Sequence, residues 1–167
     1  MFKKTFIILI IVAFSLNAFA NTPKSTGKYK NWESFTAETE KGKICFAQTV
    51  PTKRAPSAIQ RGKSKLFVTF RPKENIKDEV SITAGYDFNK KNSITATSGK
   101  FKYTFDEAKQ GFAWIMDVKQ EKKMIKTMKR GSRIMITGYN QKGSQTIDHY
   151  SLLGFTKAYN TVKKACS

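Results

Sequence analysis

The sequence predicts an all-β protein, an antiparallel β-sandwich carrying two short helices. Three observations predict it. At least seven short runs rich in β-branched and aromatic residues recur along the chain, separated at close intervals by Gly, Pro, Asn and Ser. Only two segments, 117–130 and 155–166, carry a helical period. Without the leader described next, 147 of the 167 residues remain, the size of one domain with one core. Many strands and few helices make a sandwich, with a partly open barrel as the structural alternative.

The chain opens Met1-Phe2-Lys3-Lys4, continues through an apolar run at 6–14 and reaches Ala18-Phe19-Ala20, the three parts of a secretory signal cleaved after Ala20. That run is short for a bilayer core of about 30 Å, and no later segment is apolar enough, so no transmembrane span is expected after cleavage. Asn21, where a lipoprotein needs Cys, argues against a lipid anchor. Residues 21–28 are polar, with Pro23 and Gly27, and read as a flexible lead into a single domain at 29–167.

Residues 29–39, with Trp32 and Phe35, read as a first strand. Gly42 breaks it, and 43–50 form a second with Ile44, Phe46 and Val50 on one side and Cys45 on the other. Residues 51–65 are loop-like and basic: Lys53, Arg54, Arg61, Lys63 and Lys65. Gly62-Lys63-Ser64 resembles the end of a phosphate-binding P-loop, but Ser57 stands where the first glycine belongs and a strand, not a helix, follows. Strands are expected at 66–70, 79–84, 93–97, 100–105 and 111–116. In the fourth of these Phe101, Tyr103 and Phe105 alternate with Lys102 and Thr104, as in a sheet with one face in the core.

The period then changes. Asp117 is a good N-cap with Gln120 three residues on, Val118, Glu121, Ile125 and Met128 line one side with Met124 beside them, and Gly131 ends the helix. Its outer surface carries Lys119, Lys122, Lys123, Lys126 and Lys129. Residues 133–139 and 146–153 read as a hairpin around the turn formers of 140–144. After Gly154, Phe155, Ala158, Tyr159, Val162 and Cys166 recur at spacings of three and four, along one side of a second helix.

The formal charge of +19 falls to +17 when Lys3 and Lys4 leave with the signal. Such a balance favours anionic partners. Arginine occurs only at positions 54, 61, 71, 130 and 133. Planar bidentate recognition of phosphates and bases favours Arg, so a lysine-dominated surface fits diffuse attraction, and nucleic acid is disfavoured as a partner. Two cysteines in an oxidising compartment read as one disulfide, Cys45 to Cys166, with two free thiols as the alternative. Neither is near a histidine or in a CxxC pair, which argues against redox or metal chemistry.

Trp32, Cys45-Phe46, Arg61-Gly62, Phe70-Arg71-Pro72, Gly85-Tyr86 with Phe88, Ala113-Trp114, Met128-Lys129-Arg130-Gly131, Asp148 with Tyr150-Ser151-Leu152, Gly154-Phe155, Ala158 and Cys166 follow one another in an order that resembles the shorter branch of the invasion-associated locus B family of exported bacterial proteins. The resemblance implies an immunoglobulin-like β-sandwich, a periplasmic or cell-envelope location in a Gram-negative bacterium, a disulfide between Cys45 and Cys166, and no established catalytic residue or cofactor. His149 lies between the shared positions.

Asp148-His149-Tyr150-Ser151 brings acid, base and nucleophile together in sequence. In a strand, though, His149 and Ser151 point to one face and Asp148 to the other, so the acid cannot orient the imidazole. Trp32, Tyr86, Trp114 and Tyr139 are candidate ligand-stacking aromatics, but a sandwich of this size needs large residues inside, and both tryptophans are expected in the core. The reading is a non-enzymatic envelope protein, with no cofactor and no metal. It binds an anionic envelope component, lipopolysaccharide or phospholipid headgroups, or a protein partner. Lys53, Arg54, Arg61, Lys63, Lys65, Lys119, Lys122 and Lys126 are the candidate anion-binding residues. An envelope hydrolase using His149 and Ser151 and a purely structural scaffold are the alternatives.

Overall fold

The computed structural model describes residues 22–167, so the expected signal lies outside the described residues. Twelve strands and two helices follow in order: β1 (Lys24–Tyr29), β2 (Trp32–Thr39), β3 (Gly42–Thr49), β4 (Lys53–Ala55), β5 (Lys65–Arg71), β6 (Ile76–Thr83), β7 (Ile94–Ser98), β8 (Phe101–Phe105), β9 (Glu107–Lys109), β10 (Phe112–Trp114), α1 (Val118–Arg130), β11 (Arg133–Tyr139), β12 (Gln145–Ser151) and α2 (Phe155–Ala165). One sheet has seven strands in the order β1-β2-β3-β5-β6-β10-β9 and the other five, β4-β12-β11-β7-β8. All pairings are antiparallel, and the two sheets make the sandwich that the immunoglobulin-like class implies.

Period-two alternation decides which side chains enter the core. Cys45 and Ala47 on β3, Leu66, Val68 and Phe70 on β5 and Val80 and Ile82 on β6 point in from the larger sheet. Ile94 and Ala96, Tyr103 and Phe105, Ile134 and Ile136, and Tyr150 answer from the smaller one. Trp32 is wholly buried against Phe155, ring centres 4.8 Å apart, and its indole N–H donates to the Ser151 carbonyl at 3.0 Å. One side chain thus joins β2, β12 and α2.

The expected flexible lead at 21–28 is a strand from Lys24 onward, paired with β2 so that Lys24 faces Thr36 and Tyr29 faces Trp32. Its polar composition hid it because β1 is an edge strand, held by backbone pairing, with Tyr29 its one side chain packed against the core. The Tyr29 and Thr161 hydroxyls share a 2.9 Å hydrogen bond that pins β1 to α2. The same corner needs Gly154, which sits at φ +93°, and a Cβ there would collide with the Tyr29 carbonyl.

The helices form as their periodicity predicts, with local differences. Asp117 caps α1 by accepting from the Lys119 N–H at 2.8 Å. Gln120 does not complete a capping box; its side chain accepts from the Thr104 N–H of β8 at 2.6 Å. Val118 is 57% exposed, so the inward stripe is Glu121, Met124, Ile125 and Met128. A hydrogen bond from the Val80 N–H to Glu121 (2.7 Å) and one shared by the Tyr103 and Thr127 hydroxyls (2.6 Å) hold α1 to β6 of one sheet and β8 of the other. Helix α2 delivers Cys166 to Cys45, closing a disulfide across 121 residues.

Of the two tryptophans only Trp32 is core. Trp114 stacks on Phe112 on the outer face of the larger sheet, where Phe35, Phe46 and Phe67 continue an aromatic band. Likewise Tyr103 and Phe105 turn inward as their alternation predicts, but Phe101, on the same face of β8, is 48% exposed. Among the described residues no helix is long and apolar enough to cross a membrane.

Candidate anion-binding groove

The basic loop at 51–65 is less free than its composition suggests. Lys53, Arg54 and Ala55 form β4, which pairs with β12 and sets Arg54 opposite Asp148. The Arg61 side chain is only 2% exposed; its two terminal nitrogens donate to the Asp148 carboxylate at 2.8 and 2.5 Å, and one of them also reaches the Ala84 carbonyl and the Ser64 hydroxyl at 3.3 Å. Arg54 donates to the Gly62 carbonyl at 2.6 Å and lies 3.9 Å from the same carboxylate. A bidentate, charge-assisted pair of this kind is a strong internal contact, and it consumes the group that an anion would need. Arg61 is therefore a structural residue, and Arg54 is held beside it.

Around this pair the chain is tied tightly. The Gly62 N–H donates to the Gly85 carbonyl at 3.0 Å, and Gly85, at φ +79°, has no room for a Cβ against the Gly62 backbone. Tyr86 shares a 2.5 Å hydrogen bond with Thr146, and burial pushes its hydroxyl pKa up. Tyr150, buried on the same strand face as Asp148, is raised far more by the same cause. Arg61, Gly62, Gly85, Tyr86, Asp148 and Tyr150 thus meet in one polar knot.

The knot also decides what His149 can do. Asp148 points inward to Arg61, while His149 and Ser151 are half-buried on the opposite face of β12. The Ser151 hydroxyl accepts from the Leu153 N–H at 3.3 Å. Among the described residues, no carboxylate hydrogen-bonds the imidazole as a hydrolytic base requires, and Asp148 is engaged by Arg61.

The remaining predicted cations scatter. Lys53 and Lys63 are exposed, and Lys65 donates to Gln48 at 3.0 Å with its ammonium 5.9 Å from the Phe67 ring centre. Lys119 and Lys122 lie on the exposed side of α1. Lys126 alone falls in a concave site, a groove of about 800 Å³ between α1 and the turn joining β7 to β8. Helical spacing brings Lys123, Lys126 and Arg130 along one wall. The opposite wall is Ser98, Gly99, Phe101, Lys102 and Tyr103, and the end is closed by Gly131, Ser132 and Arg133.

Five cations line this groove and no acid does. None of the five is in an ion pair among the described residues. Between them lie the exposed Phe101 ring and the aliphatic stems of the Lys and Arg side chains. Lys123, Arg130 and Arg133 are legible as surface charges in the sequence. Their convergence with Lys102 is not, because it depends on α1 lying across the end of the β7–β8 hairpin. Among the described residues, no three His, Cys, Asp or Glu gather as a metal site would need.

A family model described as invasion associated locus B (IalB) protein matches residues 32–163. The chain belongs to the IalB family. IalB proteins are exported bacterial proteins, and the match spans Arg61, Gly62, Gly85, Tyr86, Asp148 and Tyr150, the residues of the buried knot in this member. The crystal structure of invasion associated protein B from Bartonella henselae is similar, with a TM-score of 0.55 and 12% identity over 85% of this chain and 97% of that one. At that identity the likeness speaks for the IalB fold. No curated protein matches the sequence.

Proposed function

We propose that this IalB protein is a non-enzymatic component of the cell envelope that binds an anionic envelope constituent through its lysine-rich surface, with the α1 groove at the centre of that surface. The observation that carries the reading is the convergence of Lys102, Lys123, Lys126, Arg130 and Arg133 with no acid among them. Five uncompensated charges facing one concavity raise the local potential well above that of scattered surface lysines. The net charge of +17 on the mature chain extends the attraction beyond the groove. A protein partner with an acidic face would be drawn by the same field, but the concave site favours a small anionic group.

Co-sedimentation with vesicles tests the reading. Vesicles of phosphatidylglycerol should carry down the protein at low salt, with binding lost progressively as ionic strength rises through about 0.15 M, where charges are screened beyond about 8 Å. The triple variant Lys123→Glu, Lys126→Glu, Arg130→Glu should bind at least about tenfold more weakly. Equal binding to neutral phosphatidylcholine vesicles, or full binding by the triple variant, would overturn it.

A further inference from the structure

The groove has a second property that its charge does not explain. A site for a sugar needs neutral hydrogen-bonding groups, yet three of the four hydroxyls in the groove are already engaged. Tyr103 and Thr127 share a hydrogen bond at 2.6 Å, Tyr103 also donates to the Lys123 carbonyl at 3.3 Å, and Ser98 donates to the Arg133 carbonyl at 2.9 Å. Apart from the Ser132 hydroxyl, the polar side chains left over are cationic, and the rest of the wall is apolar. Its exposed part is Phe101, which strand alternation directs toward the core side of β8 yet which remains 48% open beyond the packed interior. An exposed phenylalanine inside a concave site is a more specific signal than a single surface hydrophobe.

From this division of the walls we infer that the groove binds one phosphorylated single-chain amphiphile. The phosphate lies among Lys126, Arg130 and Arg133, and the chain lies along Phe101 and the alkyl stems of Lys102 and Lys123. The inference rests on the anion-binding reading and deepens it from attraction to a membrane surface to capture of a single molecule. The volume suits such a ligand: about 800 Å³ falls within the roughly 300–1,000 Å³ usual for small-molecule sites. Multiple cations favour a phosphate that carries more than one negative charge. The apolar wall supplies what a headgroup alone could not use, since each methylene buried from water adds to the transfer free energy.

The test is titration calorimetry of the exported protein with lysophosphatidic acid below its micelle concentration, with native mass spectrometry for stoichiometry. A 1:1 complex is expected. Glycerol 3-phosphate, the same headgroup without a chain, and lysophosphatidylcholine, a similar chain with a zwitterionic head, should each bind at least tenfold more weakly. Phe101→Ser should weaken lysophosphatidic acid at least fivefold while leaving glycerol 3-phosphate unchanged. Lys126→Glu should weaken both, and Lys43→Glu, on the exposed part of β3, neither; circular dichroism melts check that all three variants fold. Equal affinity for glycerol 3-phosphate, or an unaffected Phe101→Ser, would overturn the inference. If the protein still sediments with anionic vesicles but forms no 1:1 complex, the inference falls and the anion-binding reading stands. Loss of both removes both.

Discussion

The Arg61–Asp148 pair is the residue on which most local geometry turns. Both side chains are almost fully buried, 2% and 3% exposed, so removing one partner strands a charge in the interior. Asp148→Ala should therefore lower stability by roughly 3–5 kcal/mol in urea denaturation, whereas the paired replacement Arg61→Met with Asp148→Leu should cost much less. A loss under 1 kcal/mol for the single variant would show that the pair is not the lock the geometry makes it. Part of this was legible in the sequence: alternation alone places Asp148 on the face opposite His149. Its partner was not, because Arg61 lies 87 residues away and nothing in a basic loop marks one arginine as internal.

At the scale of elements, α1 carries both a groove wall and a titratable buried acid. Glu121 is 6% exposed and its carboxyl is raised from 4.5 to about 7, chiefly by burial; the hydrogen bond from Val80 N–H opposes the rise, and the neighbouring Glu79 and Asp78 add to it. The folded protein thus holds a proton between those values that the unfolded chain has released. This contribution to stability is present at low pH and fades as pH rises from about 4.5 to 7, by on the order of 2 kcal/mol. Glu121→Gln, which keeps an acceptor for Val80 N–H, should flatten that part of the profile in melts taken at pH 5 and pH 8; an unchanged slope would place the effect elsewhere. The inward stripe of α1 was readable from periodicity, except at Val118, which is exposed in the first turn. Strand β1 was not readable, since an edge strand needs backbone partners more than apolar side chains.

For the whole molecule the dominant constraint is the bond between Cys45 and Cys166, which encloses 121 residues of separation. Loop entropy assigns a closure of that length about 4–5 kcal/mol, and the double variant Cys45→Ala, Cys166→Ala should lose roughly 2–5 kcal/mol against the oxidised protein. A double variant as stable as the parent would mean that the two sheets and α2 hold without it. The sandwich, the two helices and this bond could all be read from composition and period. The groove could not, because it exists only where a helix, a hairpin end and the start of β11 converge.

The position of the second sulfur sets an order of events. Cys166 follows α2, so Cys45 has no partner sulfur until all twelve strands of the described residues have been made. The bond therefore forms only in a chain that carries α2: one cut short before it leaves Cys45 without its partner sulfur.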